Sequence, residues 1–428
     1  MKKVVKKIAL LLIVFGIGVG VTLLYTNNKY KVYEEEEPKQ IKKHVDTISM
    51  MLETEAGSGN YEMTTRSEWP TDGYIFNTTL SKCENGGELS WDDTNKRVLM
   101  SGNVSDKCYV YFDVYVPPTV VSDVCNGGET LSTCITTLSQ NSTSSYTNIY
   151  HHDSALANGA GDNSYRYAGA NPNNFVCFGT NTTPCPTDNL YRIIGVFGNQ
   201  VKLIKYDYAT SALLGTDGDY KGTGTPNASY YKGSLTTINT YYWNKATSKN
   251  TWSESNLNKV NLNTNFINNI RSEWAAKIAE TTWKVGGNTF ANIGTQPAKT
   301  AYQNEIVSPV TTNTTDGATE YSAKIGLMYV SDYMYAASQD KWTLVGNGSA
   351  TTDYRAATSV NWMYMGFGDW TISRIADNSS SVFGMYSTGY VDYGYVGGNS
   401  VCRPSFSLLS STTYVSGSGS ASDPMVIN

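Results

Sequence analysis

A chain of 428 residues, 40% of them hydrophobic, is long enough to form two or three domains with real cores. Charged residues make up only 16%, and a net charge of -5 leaves no basic patch to neutralise phosphates, which excludes a nucleic-acid-binding protein. Its 32 tyrosines against only 3 histidines, with many Asn, Ser and Thr, are typical of extracellular binding proteins.

Residues 1–29 are predicted to be a membrane anchor. Lysines at positions 2, 3, 6 and 7 precede an uncharged run from Ile8 to Tyr25, which as a helix spans about 27 Å and matches the apolar thickness of a bilayer. The lysines place the N-terminus in the cytoplasm and the remaining chain outside. A cleavable signal peptide is the alternative, although residues 23–27 offer no small-x-small cleavage site. We therefore expect a single-pass protein of the cell membrane whose large C-terminal part is extracellular.

Residues 30–59 are predicted to be a stalk helix. Four glutamates at 34–37 and Pro38 precede apolar residues at three- and four-residue spacing, the pattern of an amphipathic helix. These apolar residues are Ile41, Val45, Ile48 and Leu52. A dimeric coiled coil would need more heptads than this segment supplies.

Residues 60–117 are predicted to form a small β domain, and residues 118–147, rich in Ser, Thr and Asn, a linker. The domain contains four strand-like runs. They lie at 74–76, 88–91, 97–100 and 108–112. Asp92-Asp93-Thr94-Asn95 supplies turn residues between the second and third runs.

Seven cysteines in an exported chain indicate disulfides with one thiol left over. Neighbouring cysteines predict three local bonds, each worth about 2–4 kcal/mol. The pairs are Cys83–Cys108, Cys125–Cys134 and Cys177–Cys185. Cys402 remains unpaired in this scheme. A metal site is not supported, because no C-x-x-C occurs and no histidine is interleaved at ligand spacing.

Residues 148–428 are predicted to form one larger domain. The segments 191–197 and 200–205 are separated by Gly198-Asn199, which is a clear hairpin signal. A helical part is expected between Ser253 and Glu280, where residues at four-residue spacing form one buried stripe. The stripe is Phe266, Ile270, Trp274 and Ile278. Strands dominate again from Ile325, so the expected fold class is α+β.

The segment from Met385 to Tyr395 has the composition of a recognition surface. Tyrosine brings large contact area at low entropy cost, while Ser, Gly and Asn bring adaptable hydrogen bonds. Glycines interrupt the aromatics, which favours exposed loops or edge strands over a buried sheet face. The predicted ligand-binding residues are Tyr386, Tyr390, Asp392, Tyr393, Tyr395, Asn399 and Ser400. The expected partner is a protein or glycan on another cell, a host or a phage surface.

The segments Trp370–Arg374 and Arg403–Leu408 resemble the C-type-lectin-like domains of bacterial surface proteins, including the formylglycine-generating-enzyme-like branch of that fold. In that family a Trp-x-x-Arg-type strand is followed by a Gly/Val-Arg-Pro-x-x-x-Leu strand. The blocks 167–172 and 189–195 are also similar to anchored proteins of Gram-positive gut-type bacteria. The resemblance covers residues 148–428 and implies a C-type-lectin-like binding domain. Some relatives are diversified by retroelements just before the final Arg-Pro strand, the place that residues 385–403 occupy here.

Two departures limit what the resemblance implies. The enzyme members use a pair of cysteines near the substrate groove, whereas only Cys402 lies in the C-terminal third of this chain. Calcium-dependent lectins carry Glu-Pro-Asn or Gln-Pro-Asp and Trp-Asn-Asp motifs, and none of these occurs here. Neither that enzymatic activity nor calcium-assisted sugar binding is therefore carried over, and no cofactor is predicted.

No catalytic motif competes with a binding function. His151-His152-Asp153 is the one histidine cluster, but neighbouring residues of a strand point to opposite faces, so structural or surface histidines are expected. Asp153, Asp162 and Asn163 suggest calcium only weakly, because the EF-hand spacing is missing. The sequence thus predicts a surface-anchored ligand-binding protein, such as an adhesin or receptor, and no enzyme. A structural envelope protein without a specific site is the alternative, and an exported enzyme is less favoured.

Overall fold

The structure, a computed structural model, describes residues 47–70, 73–102, 106–115, 121–140, 148–310 and 317–428. The chain divides into two units, the first ending at residue 117 and the second beginning at residue 118. The predicted anchor, residues 1–29, and the first part of the predicted stalk lie outside the described residues. In the part of the chain that is described, no helix has both the length and the apolar character needed to cross a membrane.

The first unit is a small β structure. Its described strands are β1 (Thr47–Glu53), β2 (Tyr61–Thr64), β3 (Tyr74–Phe76), β4 (Lys82–Cys83), β5 (Glu88–Asp92), β6 (Arg97–Ser101) and β7 (Lys107–Val114). Strands β2-β1-β7-β3 form a sheet, with β4 also paired to β7, while β5 and β6 form a hairpin. The four strand-like runs predicted here are confirmed as β3, β5, β6 and β7.

Strand β1 shows that the predicted stalk helix is wrong over its described part. Ile48 and Leu52 have the four-residue spacing of a helix, yet both lie in β1, which runs parallel to β7. Met50, between them, contributes to the buried core of the unit. That core consists of Met50, Phe76, Val110 and Phe112. Pairing with β7, which is distant in sequence, therefore determines that this segment is a strand. The local spacing of apolar residues does not reveal that pairing.

The second unit contains most of the strands. They are β8 (Ile149–His151), β9 (Tyr165–Tyr167), β10 (Phe175–Cys177), β11 (Leu190–Phe197), β12 (Gln200–Lys205), β13 (Tyr220–Gly224), β14 (Ile238–Tyr242), β15 (Thr281–Lys284), β16 (Gly287–Asn288), β17 (Glu320–Ala323), β18 (Asp369–Ile375), β19 (Ser381–Met385), β20 (Val391–Tyr395), β21 (Asn399–Ser400), β22 (Ser405–Ser407), β23 (Tyr414–Ser416) and β24 (Val426–Ile427). The predicted hairpin is confirmed as β11 and β12, which pair in antiparallel register across Gly198 and Asn199.

Several small sheets build this unit. The largest has the order β22-β12-β11-β9-β8, with β10 also paired to β11. A second sheet has the order β16-β18-β19-β20, and a third has the order β13-β14-β21. Two further pairs are β15-β17 and β23-β24. One continuous apolar core runs beneath them and includes the fully buried Trp243, Trp252 and Trp342.

The helices are short. The α-helices are Val121–Val124, Leu131–Gln140, Ser211–Leu214, Ile267–Asn269, Ser272–Ala275, Phe290–Ile293, Ala298–Tyr302 and Val330–Tyr335. The π-helical segments are Leu257–Phe266 and Gln303–Val307, and the 3-10 turns are Thr187–Asn189, Trp252–Glu254, Gln339–Lys341 and Tyr354–Ala357. Strands take up 32% of the described residues and helices 19%. The predicted α+β class is therefore wrong, because the helices are connections within a mostly β structure.

The helical segment between Ser253 and Glu280 is not one helix. Its π-helical part ends at Phe266, and after three α-helical residues the backbone becomes extended at Ile270 (φ -93°, ψ 158°). Phe266 and Trp274 are both buried, but they reach the core from separate helices. The segment is rich in asparagine, whose side chain competes with helical backbone bonds. Asn269, the last α-helical residue before the extended Ile270, donates its side-chain N–H to the carbonyl oxygen of Leu213 (3.0 Å).

Residues 121–140 correct the prediction of a linker over 118–147. The helix Leu131–Gln140 buries Leu131, Cys134, Ile135 and Leu138, which recur at three- and four-residue spacing on one face. These side chains belong to the core of the second unit. The segment is therefore an integral part of that unit.

Disulfides join the three predicted cysteine pairs. The bonds are Cys83–Cys108, Cys125–Cys134 and Cys177–Cys185. Cys402 is a free, fully buried cysteine, and its burial raises the pKa of the thiol. It therefore behaves as a small apolar side chain.

Replacing both Cys83 and Cys108 by Ala should lower the free energy of unfolding of the first unit by about 2–4 kcal/mol, because the unfolded chain regains the freedom that the bond removes. Urea unfolding at equilibrium measures this loss. The control is Cys402→Val, which is close in volume and should cost less than about 1.5 kcal/mol. Equal stability of the double variant and the parent would contradict a structural role for the bond.

His152 is a buried histidine that stays neutral. Its Nδ1 accepts a hydrogen bond from the backbone N–H of Ala160 (3.0 Å), and its ring packs against Tyr335 and Trp342. Burial, reinforced by the positive charge of Arg166, lowers the pKa of His152 to about 2. The expectation of a structural histidine agrees with this position.

The low pKa of His152 predicts a pH-dependent stability. The unfolded histidine binds a proton below about pH 6.5 and the folded one does not, so stability falls as pH decreases, by up to about 1.4 kcal/mol per pH unit. In His152→Asn, whose amide oxygen can accept the Ala160 bond, this contribution should disappear. Urea unfolding of both proteins between about pH 7 and pH 4 gives the two slopes. If the free energy of unfolding depended on pH equally in both proteins, the low pKa of His152 would be refuted.

Candidate ligand-binding surface

Strand β20 carries three of the predicted site residues, Asp392, Tyr393 and Tyr395, and lies at the outer end of the sheet β16-β18-β19-β20. Val391, Tyr393 and Tyr395 point to the same face of the strand; Val391 at its start is buried, whereas Tyr393 and Tyr395 are 46% and 50% exposed. Pairing with β19 along residues 381–385 fixes the backbone of the strand. The edge of Tyr393 contacts Phe290 at a centroid distance of 5.2 Å. Both tyrosines are thus displayed from a fixed strand.

A stack of three side chains adjoins this strand. Tyr386 and Tyr390 stack with their ring centroids 5.0 Å apart and an interplanar angle of 22°. The guanidinium carbon of Arg355 lies 4.6 Å from the Tyr390 centroid, within the range of a cation–π interaction. Asp353 in turn accepts hydrogen bonds from the Arg355 side chain. The stack thus holds both tyrosine rings in place.

A groove of about 330 Å³ opens between β19, β20 and β21; we call it the tyrosine groove. It is lined by Gly368, Trp370, Gly384, Met385, Tyr386, Gly394, Tyr395, Gly398, Asn399 and Ser400. Trp370 is nearly buried, and its indole N–H donates to the carbonyl oxygen of Tyr241 (2.8 Å). A Cβ at Gly394 would lie only 3.1 Å from the Trp370 ring. The glycine therefore lets the strand approach the indole, which explains why it interrupts the tyrosines.

The other predicted site residues contribute unequally. Asn399 is exposed at the groove, whereas Ser400 is 6% exposed and pairs with Tyr241 of β14. Asp392 is half-buried; burial raises the pKa of its carboxyl, and the backbone N–H of Tyr393 partly offsets this by donating to it. The groove thus brings together Tyr386, Tyr395, Asn399 and Ser400, of which Ser400 has little exposed area, whereas Tyr390 and Tyr393 do not line it.

A second concave site, which we call the ionic pocket, has a volume of about 210 Å³. It is lined by Asp162, Arg166, Phe197, Gln200, Lys202, Thr281, Thr282, Trp283, Lys284, Tyr302, Ile306, Tyr329, Ser331, Asp332 and Ser407. Lys202 Nζ lies 2.5 Å from Asp332 Oδ2, and Arg166 Nη2 lies 2.5 Å from Asp162 Oδ2. Two cations thus face two anions.

Burial controls the ionisation of these groups. Burial lowers the pKa of the Lys202 ammonium, and the adjacent Asp332 carboxylate only partly offsets this. Burial also disfavours the Asp162 carboxylate, but the Arg166 guanidinium, with hydrogen bonds from Ser164 and Tyr302, outweighs it and lowers the pKa of Asp162 to about 2. Asp162 therefore stays ionised near neutral pH and is a poor proton donor.

Sequence reasoning missed the ionic pocket. One available signal was Lys202 between Val201 and Leu203 in a strand buried along almost its whole length. Another was Arg166 between two tyrosines in β9. The partner Asp332 comes from a distant helix, so no spacing along the chain connects these residues.

The suggested calcium ligands do not form a described metal site. Asp162 is engaged by Arg166, and Asp153 accepts bonds from the backbone N–H groups of Ala155 and Leu156. Among the described residues, two groups have metal-ligand proximity, and both rely on disulfide cysteines, which have no thiolate to offer. The groups are Cys83, Asp106 and Cys108, and Cys125, Glu129 and Cys134.

Asp369 and Trp370 lie beside the segment from Val401 to Arg403. The backbone N–H of Trp370 donates to Val401 (3.1 Å), and Arg403 Nε donates to Asp369 (2.6 Å). The chain matches no family model, no curated protein and no solved structure.

Proposed function

We propose that this protein binds a ligand through the tyrosine groove and the tyrosines around it. The observation that carries the proposal is the exposure of Tyr393 and Tyr395 on β20, although the paired strand β19 is buried along its whole length. Tyr393 and Tyr395 together offer two large, half-exposed aromatic side chains on one strand, and Tyr395 also lines the groove. Tyrosine is among the residues that dominate binding energy at interfaces.

The surface is built in advance of binding. Strand pairing holds Tyr393 and Tyr395, and the Arg355 stack holds Tyr386 and Tyr390. Side chains that are already ordered lose little entropy when a ligand arrives, so more of the contact energy appears as affinity. This arrangement favours recognition over a purely structural role.

The charge of the surface limits the kinds of ligand that can bind there. Arg355 is neutralised by Asp353, and Asp392 is the one carboxyl among the predicted site residues. A protein or glycan surface with little net charge fits such a site better than a polyanion. The relation to C-type-lectin-like proteins, suggested by residues 370–374 and 403–408, belongs to this proposal and implies the same kind of partner.

The site would be displayed outside the cell. The lysines and the apolar run at residues 2–25 support an anchor with its N-terminus in the cytoplasm. Three disulfides fit an oxidising environment beyond that membrane. The proposed protein is thus a surface-anchored adhesin or receptor, and it needs no catalytic residue.

Changing Tyr393 and Tyr395 together to Ser should lower binding at least about tenfold, because aromatic anchors often contribute 2 kcal/mol or more each. The measurement is binding of the fluorescently labelled protein to a printed glycan array and to cultured epithelial cells. The melting temperature should change little, since exposed side chains contribute little to the core.

The matched control is Tyr115→Ser, since Tyr115 is 45% exposed and lies in the first unit. It should bind like the parent protein. Undiminished binding by the double variant would exclude the tyrosine groove and its surrounding tyrosines as the binding site. A large fall in its melting temperature, or no binding by the parent protein, would favour the structural envelope role.

Protease treatment of intact cells should release fragments of the second unit if the proposed topology is correct. Western blotting with an antibody against residues 148–428 follows the release. A cytoplasmic enzyme in the same cells serves as the control for lysis. If the protein survived on intact cells and was digested only after lysis, the proposed topology would be wrong.

A further inference from the structure

Lys202 and Asp332 are held together in a nearly dry environment. Their side chains are 8% and 2% exposed, and Nζ lies 2.5 Å from Oδ2. Aromatic rings surround the ammonium group, with centroid distances of 4.5 Å to Tyr329, 5.4 Å to Trp283 and 5.6 Å to Phe197. The two groups belong to β12 and to the helix Val330–Tyr335, so a covalent bond between them would join distant parts of the unit.

We propose that Lys202 and Asp332 condense to form an intramolecular isopeptide bond between Nζ and Cγ. The ammonium and the carboxylate together lose one water molecule, and no other reactant is required. The C–Oδ2 bond breaks while the Nζ–Cγ bond forms. Two of the three ammonium protons leave with Oδ2 as water, and the third remains on the amide nitrogen.

The surroundings favour each step of this reaction. A proton can pass from Nζ to Oδ2 within the pair, which gives a neutral amine and a carboxylic acid. Burial, which lowers the pKa of Lys202, favours the neutral amine that attacks Cγ. Negative charge then develops on Oδ1, and Arg166 Nη1 lies 4.0 Å from that oxygen. A fixed cation at this position stabilises the tetrahedral intermediate.

The equilibrium also favours the bond. Two buried ions carry a desolvation cost that their mutual attraction does not fully offset, whereas an amide is neutral. Both residues line the ionic pocket, so the released water has a route out of the reaction site. The bond would thus remove a charge pair from the interior.

The burial of this pair distinguishes it from a second ion pair, whose lysine, Lys284, also lines the ionic pocket. Lys284 and Glu320 also form a lysine–carboxylate contact, but their side chains are 37% and 52% exposed. Water reaches both groups there, so they are not held in the dry contact that Lys202 and Asp332 share. No condensation is expected at that pair, and it serves as an internal control.

Peptide mapping of the full chain tests the proposal. After reduction and alkylation, a tryptic digest should contain the Lys202 and Asp332 peptides joined together, lighter than their sum by the mass of one water molecule. Trypsin should fail to cleave after Lys202. Peptides that contain Lys284 and Glu320 should be linear in the same digest.

The control variant is Lys202→Arg, which keeps the positive charge but carries a guanidinium that stays protonated and is not a nucleophile. Its peptides should be linear. Complete cleavage after Lys202 in the parent protein, with a separate linear Asp332 peptide, would overturn the proposal and leave an ordinary ion pair. The parent digest decides the outcome even if the variant fails to fold.

Discussion

The buried ion pair between Arg403 and Asp369 constrains the C-terminal half of the second unit. Each residue is 3% exposed, and Arg403 also donates to the carbonyl oxygen of Met363 (2.8 Å). Asp369 begins β18 and Arg403 precedes β22, so the pair holds two different sheets and an intervening loop in one arrangement. Trp370, which packs beneath the tyrosine groove, follows Asp369 directly. Loss of one partner would leave a buried charge, at a cost of about 3–5 kcal/mol.

Local signals predicted the elements that local interactions determine. The Gly198-Asn199 hairpin and the turn at residues 92–95 were recognisable because their turn residues adopt the required backbone conformations with little strain. The disulfide pairs followed from the short spacing of neighbouring cysteines. These features depend on contacts between residues that are close along the chain.

Distant contacts determine what the sequence did not reveal. Strand β1 exists because β7 lies beside it, and the helical spacing of Ile48 and Leu52 was misleading. Phe266, Trp274 and Ile278 of the predicted stripe are buried and Ile270 is partly buried, but these residues do not lie on one helix. A role of the tyrosines in binding stays a prediction, but the exposure of Tyr386, Tyr393 and Tyr395 was foreseen, because the glycines that interrupt this segment are visible in the sequence. The ionic pocket was not, because Arg166, Lys202 and Asp332 are brought together only by the fold.

The order of the cysteines has a consequence for biosynthesis. Each disulfide joins a cysteine to the next one along the chain, as in Cys83 with Cys108 and Cys125 with Cys134. A chain that emerges from its N-terminus therefore presents each correct partner before any competing thiol appears. Pairing in order of emergence gives the native bonds without reshuffling, and Cys402 appears last with every other thiol already used. The order of the cysteines along the chain thus favours formation of the native disulfides during synthesis.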